Sequence, residues 1–217
     1  MLNLNLQGTK QGRLKILCLG AHSDDIEIGC GGTILRMLQQ YPNLDFFWVV
    51  LSASSQREKE ARRSAARFLK RSRSRTIVTK DFRDGFFPYI GGEIKDYFEE
   101  IKGMFVPDLV FTHYGKDRHQ DHRLICDLTW NTFRNHLILE YEIPKYDGDL
   151  GHPNFFVPLR ESLCRRKLKL LHDGFPSQHD NHWFTNETFL SILRIRGIEA
   201  NAPEKYAEAF HCRKIVI

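Results

Sequence analysis

The sequence has no apolar run long enough to cross a membrane. Its longest strongly apolar run, Phe46 to Leu51, is far shorter than the roughly 18 residues that a membrane-spanning helix needs. The amino-terminal segment also lacks the apolar core of a secretory signal peptide. We therefore expect a soluble, cytoplasmic protein that has no membrane as a partner.

The sequence also lacks the cysteine patterns of disulfide-stapled proteins and of zinc fingers. Its five cysteines are odd in number and never spaced as C-x-x-C, which favours small buried side chains in a reducing compartment. They are Cys18, Cys30, Cys126, Cys164 and Cys212. Neither G-x-G-x-x-G nor a Walker lysine pattern is present, so a dinucleotide or P-loop site is not indicated.

The sequence does contain enough apolar material for one globular domain. Of its 217 residues, 41% are hydrophobic and 27% are charged, which excludes disorder as the main state. A chain of this length predicts a single domain over residues 1–217. The net charge of +5 comes partly from a basic run at 62–75. Because such runs are usually solvated helix faces, we expect no nucleic-acid partner.

Apolar periodicity predicts strands that alternate with helices. This alternation indicates an α/β fold, a Rossmann-like, doubly wound and mostly parallel sheet built from right-handed βαβ units. The segment 140–154 is rich in proline, glycine and aspartate, which predicts a long connection. The predicted strands are 14–19, 44–51, 76–79, 109–114 and 211–217, and the predicted helices are 32–40, 57–70, 94–105, 119–133, 161–171 and 188–195.

Two clusters of histidine and aspartate follow the first and fourth predicted strands. Ala-His-Ser-Asp-Asp occupies 21–25, and Asp-Arg-His-Gln-Asp-His occupies 117–122 at the start of the next helix. In a doubly wound sheet of order 3-2-1-4-5, the first and fourth strands are neighbours, and ligands bind beyond their carboxyl ends. We therefore expect the two clusters to meet across one cleft and to form a metal site there.

The residue types in these clusters suit a metal ion with an open coordination position. Imidazole nitrogen and carboxylate oxygen are ordinary zinc ligands, and catalytic zinc sites keep three protein ligands and a water. His22 and Asp25 from the first cluster, with His122 from the second, would form such a set. Asp24 would then face the water as a general base, and His119 would point at the substrate carbonyl.

The other members of the clusters have both a functional and a simpler interpretation. Asp117 and Asp121 are candidates to accept a hydrogen bond from a ligand histidine and so to determine which of its ring nitrogens is protonated. Asp117 could instead cap a helix, the paired aspartates could form a turn, and the glycines at 29–32 could permit a tight strand-to-helix turn. Their coincidence at two neighbouring strand ends favours the functional interpretation.

Taken together, these motifs resemble those of the LmbE/PIG-L family of zinc-dependent N-acetylglucosaminyl deacetylases. The segment 15–34, KILCLGAHSDDIEIGCGGTI, is similar to the family signature A-H-P-D-D-x-E-x-G-C-G-G, and DRHQDH is similar to its D-x-H-P-D-H block. Weaker similarities are Arg57 with Glu60, Asp84 with Gly85, PSQH at 176–179 and YAEAF at 206–210. Ser23 and Gln120 replace prolines of the family, and neither is expected to be a ligand.

The resemblance implies a metal-dependent hydrolase that removes the N-acetyl group from an N-acetylglucosamine-type sugar or sugar conjugate. It implies one Zn²⁺ per chain, with Fe²⁺ as the alternative, bound by His22, Asp25 and His122. By the same resemblance Asp24 would be the general base, and His119 would stabilise the oxyanion or donate a proton.

The resemblance also implies residues that support the reaction from outside the metal site. Asp121 would orient His119, and Arg57 and Asp84 would hold the sugar. Because members of the family form oligomers, the expected partners are a small-molecule N-acetyl sugar and further copies of the chain.

Two alternatives stay open on the sequence alone. The first is a metal-dependent amidase that acts on a non-sugar acylated amine, because the ligand set does not determine which amide is cleaved. The second is a non-catalytic module that binds sugars or nucleic acid through its basic face. The presence of every expected ligand together with Asp24 argues against the second alternative.

Overall fold

The computed structural model describes residues 13–216, in which one seven-stranded sheet has helices on both faces. The strands are β1 (Leu14–His22), β2 (Leu44–Ser52), β3 (Ser74–Thr79), β4 (Leu109–His113), β5 (Leu137–Tyr141), β6 (Phe155–Leu159) and β7 (Tyr206–His211). The helices are α1 (Asp25–Gln40), α2 (Ser55–Phe68), α3 (Gly91–Met104), α4 (Gln120–Thr132), α5 (Glu161–Gly174) and α6 (Asn186–Glu199), with 3₁₀ turns at Phe87–Ile90 and Pro176–Gln178.

The sheet has the strand order β3-β2-β1-β4-β5-β7-β6. Strands β1 to β5 pair in parallel, whereas β7 is antiparallel to both β5 and β6. The predicted α/β class and the order 3-2-1-4 of the first four predicted strands are therefore confirmed, whereas the strand beside β4 is Leu137–Tyr141 and not the predicted strand 211–217. Strand β1 lies between β2 and β4, so that Cys18 is in register with Trp48 on one side and Phe111 on the other.

Two apolar layers, one on each face of the sheet, explain why the central strands are continuously apolar. Helices α1, α2 and α5 pack on one face around residues such as Ile26 and Leu168. Helices α3 and α4 pack on the other face around residues such as Phe98 and Ile125. A parallel strand that is buried on both faces needs apolar side chains at successive positions rather than at alternate ones.

Helix α1 begins at Asp25, earlier than the predicted start at residue 32. The glycines at 29–32 suggested a turn, but they lie inside the helix. A Cβ atom on Gly29 would lie 2.2 Å from Tyr141 Cδ2, and one on Gly31 would lie 2.7 Å from Phe68 Cε1. These glycines therefore let the helix approach its neighbours closely.

The carboxy-terminal part of the sheet differs from the prediction. Strands β5 and β6 were not predicted, although the connection between them contains no helix or strand at 142–154, as expected. The last strand is β7 rather than 211–217. Residues 212–216 lie outside the sheet and Ile215 and Val216 are exposed, whereas residue 217 lies outside the described residues.

The cysteines and the absence of a long apolar helix among the described residues agree with the sequence analysis. All five cysteines are buried free thiols, as predicted. No helix within residues 13–216 is both long and apolar enough to cross a bilayer. A single domain over residues 1–217 and a homo-oligomer stay predictions.

Candidate metal centre

The two histidine–aspartate clusters meet at the carboxyl edge of β1 and β4. His22 ends β1, Asp25 begins α1, and His122 lies in the first turn of α4. His22 Nδ1 is 3.1 Å from His122 Nε2. An oxygen of Asp25 lies 3.3 Å from His22 Nδ1, and its other oxygen lies 3.6 Å from His122 Nε2. The structure therefore brings the three predicted ligands together.

These three donors fit a metal ion between them. Ligand bonds of about 2.0–2.1 Å in a tetrahedral arrangement separate neighbouring ligand atoms by about 3.4 Å. The two ring nitrogens are 3.1 Å apart, and each lies 3.3 or 3.6 Å from a different oxygen of Asp25. Overlapping groups of possible ligands combine His22 with His119 and His122, or Asp25 with His113 and His122. The assignment of His22, Asp25 and His122 as the ligands stays a prediction.

Carboxylates behind the two histidines determine which ring nitrogen faces the centre. His122 Nδ1 is 2.9 Å from Asp117 Oδ2, and His22 Nε2 is 3.0 Å from Asp84 Oδ1 and 3.3 Å from Asp121 Oδ2. A ring nitrogen that donates to a carboxylate leaves the other nitrogen of a neutral imidazole unprotonated. Burial acts to lower the pKa of His22, but Asp25, Asp121 and Asp84 outweigh it and raise that pKa, so this ring carries a proton that a bound cation would displace. With both rings neutral, two nitrogen lone pairs and the Asp25 carboxylate would face a cation between them.

Asp121 lies behind His22 rather than behind His119. Its carboxylate is fully buried and accepts hydrogen bonds from the backbone N–H groups of Gly85 at 2.7 Å and Phe87 at 3.1 Å. The expected contact between this carboxylate and His119 is not among the hydrogen bonds of the described residues. His119 is the N-cap of α4, and its Nδ1 instead accepts the backbone N–H of Asp121 at 3.3 Å.

Asp24 is held by Arg57 through one carboxylate oxygen. Its Oδ1 accepts a hydrogen bond from Arg57 Nη2 at 2.8 Å. Its Oδ2 is buried and has no hydrogen-bond partner among the described residues. Burial raises the pKa of Asp24, and the Arg57 guanidinium opposes that rise. Asp24 and Asp25 therefore diverge as expected, since Asp25 faces the histidines and Asp24 keeps one oxygen free.

His119 and Asp84 border the centre. The ring of His119 lies 4.8 Å from that of His22 and 4.5 Å from that of His122. Burial, with His22 nearby, lowers the pKa of His119, which favours its neutral form near pH 7. The side chain of Asp84 is 72% exposed, and its hydrogen bond with His22 lowers the pKa of that carboxyl. Both residues are thus accessible to a ligand at the centre.

His113 is a site residue that the sequence analysis missed. It is the last residue of β4, it is fully buried, and its ring stacks on that of His122 at 3.9 Å. Its Nε2 accepts the backbone N–H of Ala21 at 2.9 Å and lies 3.2 Å from Asp25 Oδ2. The sequence did contain a signal for it, because His113 lies near the carboxyl end of the predicted strand 109–114, the edge of the sheet where ligand sites occur.

A cavity of about 1040 Å³ opens where the loop after β4 faces the long connection. Within the segment 114–118, Tyr114, Gly115, Lys116 and Arg118 line one side, and residues 147–152 with His211 to Arg213 line the other. Asp117, which orients His122, lies within the first of these segments. The connection predicted at 140–154 therefore borders an open space next to the loop that leads into the metal centre.

Comparisons with known proteins agree with this architecture. Residues 17–133 match the sequence model of the family described as PIG-L, GlcNAc-PI de-N-acetylase. The chain is 28% identical over 184 residues to the uncharacterized deacetylase YaiS of Escherichia coli, covering 79% of this chain and 96% of that protein.

Solved structures are similar over nearly the whole chain. A conserved protein of Thermus thermophilus superposes with a TM-score of 0.73 at 20% identity, covering 94% of this chain and 96% of the other. The N,N′-diacetylchitobiose deacetylase of Pyrococcus horikoshii superposes with a TM-score of 0.66 at 22% identity, covering 96% and 87% respectively. At these identities the similarity establishes the fold.

Proposed function

This chain belongs to the PIG-L family of deacetylases, and from that premise we propose that it is a metal-dependent hydrolase that removes the acetyl group from an N-acetylglucosamine-type sugar or sugar conjugate. The observation that carries the proposal is the convergence of His22, Asp25 and His122, next in the chain to Asp24, one of whose carboxylate oxygens has no hydrogen-bond partner among the described residues. The family description and the chitobiose deacetylase among the structural relatives support an acetamido sugar as the substrate class.

The donor set suits zinc, with Fe²⁺ as the alternative, because both ions accept imidazole and carboxylate ligands. His22, Asp25 and His122 would hold the ion. The chemistry that zinc supplies at such a site is polarisation of the amide carbonyl and a pKa for the attacking water that is lowered to about 7.

The proton on the attacking water passes to Asp24 in this proposal. Oδ2 of Asp24 is the acceptor, because Oδ1 is already occupied by the Arg57 guanidinium. Water adds to the carbonyl carbon, and the carbon–nitrogen bond then breaks as the amine takes up the proton held by Asp24. The immediate products are the neutral amino sugar and acetic acid, whose proton then passes to the amine, so that acetate and the protonated amino sugar are released and all atoms and protons are accounted for.

His119 stabilises the oxyanion that forms during this attack. Its Nδ1 accepts the backbone N–H of Asp121, so the proton of the neutral ring lies on Nε2. That N–H group is therefore a donor beside the centre, where a preformed hydrogen bond to a developing negative charge lowers the barrier. The exposed carboxylate of Asp84 and the guanidinium of Arg57 are the groups that we assign to the sugar hydroxyls.

Metal content and acetate release test this proposal together. The unaltered protein and the variants His22→Ala and His182→Ala are purified without added metal; His182 is an exposed histidine that serves as the control. We expect about one zinc or iron per chain in the unaltered protein and the control, and none in His22→Ala.

Acetate release is then measured with N-acetylglucosamine, its β1,4-linked disaccharide and a non-sugar N-acetyl amine. Turnover of the acetylated sugars is the expected result. A metal-loaded protein that cleaves only the non-sugar amide would show that the substrate class is wrong. If the unaltered protein contains no metal even after zinc is added, metal-dependent hydrolysis is excluded.

A further inference from the structure

Two of the weaker similarities to the family, Arg57 with Glu60 and the segment PSQH at 176–179, are joined by hydrogen bonds in the structure. Glu60 lies on α2, one turn after Arg57, and Ser177 lies in the 3₁₀ turn that follows α5. Ser177 Oγ donates a hydrogen bond to Glu60 Oε2 at 2.5 Å, and the Ser177 backbone N–H donates to Glu60 Oε1 at 3.1 Å. Both oxygens of Glu60 are therefore engaged by one residue of the distant turn.

The same unit holds the guanidinium of Arg57. Arg57 Nη1 donates to Ser177 Oγ at 3.2 Å and lies 3.5 Å from Glu60 Oε2, whereas Nη2 donates to Asp24 Oδ1 at 2.8 Å. The donors and acceptors are consistent along the row, because a guanidinium only donates, a hydroxyl accepts and donates, and a carboxylate only accepts. The row runs from Asp24 through Arg57 and Ser177 to Glu60.

Glu60 is buried and ionised, and it joins helix α2 to the turn that carries Ser177. It is only 4% exposed. Burial acts to raise the pKa of Glu60, but the hydrogen bonds from the Ser177 hydroxyl and backbone, together with Gln56 and Arg57, outweigh it and lower the pKa. A carboxylate buried in this way is stable only while its partners remain in place. The turn that carries Ser177 and helix α2 are thus joined at this point.

We propose that Ser177 and Glu60 are positioning residues of the reaction. They hold the Arg57 guanidinium on Oδ1 of Asp24, so that Oδ2, to which we assign the proton of the attacking water, keeps no other hydrogen-bond partner among the described residues. An unsupported arginine has several rotatable bonds, and it could shift to the other oxygen or leave the carboxylate. This inference rests on the proposed function, because it concerns Asp24 as the general base.

Steady-state kinetics on the acetylated sugar that is turned over best provide the first test. We expect Ser177→Ala to lower kcat by about 5-fold to 20-fold, because geometry at the reacting atoms is lost, and to raise KM by a smaller factor, because Arg57 is also assigned to the sugar. Ser177→Thr keeps a hydroxyl and should recover most of kcat. The control is Ser72→Ala, which removes a hydroxyl bonded to the Leu69 carbonyl at the far end of α2.

A double-mutant cycle separates positioning from general structural damage. If Ser177 acts through Arg57, Ser177→Ala should have almost no further effect on kcat in an Arg57→Ala background. Equal reductions of kcat in the presence and absence of Arg57 would overturn the proposal.

A crystal structure of the Ser177→Ala protein tests the positioning without relying on activity. We expect the contact between Arg57 and Asp24 to be lost or divided between two conformers, whereas an unchanged contact would overturn the proposal. If the metal-loaded, unaltered protein turns over no acetylated sugar, the proposed function fails. The crystallographic comparison still decides whether Ser177 positions Arg57.

Discussion

The two adjacent aspartates at the start of α1 show how single residues divide the work of the site. Asp25 faces His22 and His122, whereas Asp24 is turned towards Arg57 and keeps one oxygen without a partner among the described residues. This divergence follows from their position at a strand-to-helix junction, where successive side chains point in different directions. The metal site and the proposed base can therefore come from one short motif.

Replacement of Asp24 should separate catalysis from metal binding. In Asp24→Asn the side chain can no longer accept the proton of water, so we expect turnover to fall by roughly 100-fold or more. The ligand atoms of His22, Asp25 and His122 are unchanged, so metal content should stay the same. Acetate release and elemental analysis on one preparation measure both quantities. Unchanged turnover would remove Asp24 from the role of general base.

Asp117 should affect the metal through His122. Its Oδ2 lies 2.9 Å from His122 Nδ1, and groups that orient a ligand in this way typically contribute roughly 10-fold to 100-fold to metal affinity. We expect Asp117→Asn to weaken zinc binding by about that factor in competition with a chelator. The control is Asp127→Asn, which changes an exposed aspartate on α4, the helix that carries His122. Equal affinities in the two variants would contradict the orienting role.

At the scale of the secondary-structure elements, α1 depends on close contacts along its glycines. A Cβ at Gly29 would lie 2.2 Å from Tyr141, whereas one at Gly103 in α3 would meet nothing within 4 Å. We expect Gly29→Ala to lower the free energy of unfolding by about 1–3 kcal/mol through overpacking. Gly103→Ala should be neutral or stabilising by up to about 1 kcal/mol. Urea unfolding compares them, and a stabilised Gly29→Ala protein would contradict this account.

The middle of α1 is also held by a buried ion pair. Lys167 of α5 donates to the Ile28 carbonyl at 2.6 Å and to Glu208 of β7 at 2.7 Å. Glu208 in turn accepts the backbone N–H groups of Gly32 at 2.8 Å and Thr33 at 2.6 Å. These bonds, made by backbone groups in the middle of the helix, join α1 to two other elements.

Loss of one partner of this pair should be costly. Lys167→Met leaves the carboxylate of Glu208 buried without its counter-charge, so we expect a loss of about 3–5 kcal/mol in the free energy of unfolding. The control is Lys169→Met, whose lysine side chain is 75% exposed and whose effect should stay within about 0.5 kcal/mol. Equal effects in denaturant titrations would show that the buried pair is not important for stability.

At the scale of the whole molecule, a bound metal would join the two halves of the parallel sheet. His22 comes from β1, and His122 comes from the helix after β4. A ligand that binds only the folded state stabilises it, by about 2.7 kcal/mol at 100 times its dissociation constant. Zinc should therefore raise the Tm of the metal-free protein and of His182→Ala, but not that of His22→Ala. Equal rises in Tm in all three proteins would show that the zinc binds at a site that does not include His22.

The sequence allowed the fold class and the order 3-2-1-4 of the first four strands to be predicted, because alternating strands and helices leave few arrangements of right-handed βαβ units. It did not allow β5, β6 and β7 to be placed. Strand β7 is antiparallel and inserts between β5 and β6, and nothing in a local apolar pattern specifies such an insertion. The apolar residues Ile215 and Val216 suggested a strand where the chain has already left the sheet.

The sequence by itself determined which residue types stand at the ends of the first and fourth strands, and hence that His22, Asp25 and His122 meet. Parallel neighbouring strands present their carboxyl ends at one edge, so spacing along the chain was sufficient for that inference. Only the tertiary structure decided that Asp121 supports His22 and that Ser177 reaches Glu60. These contacts depend on the direction of each side chain, which is set by packing between elements distant in the sequence.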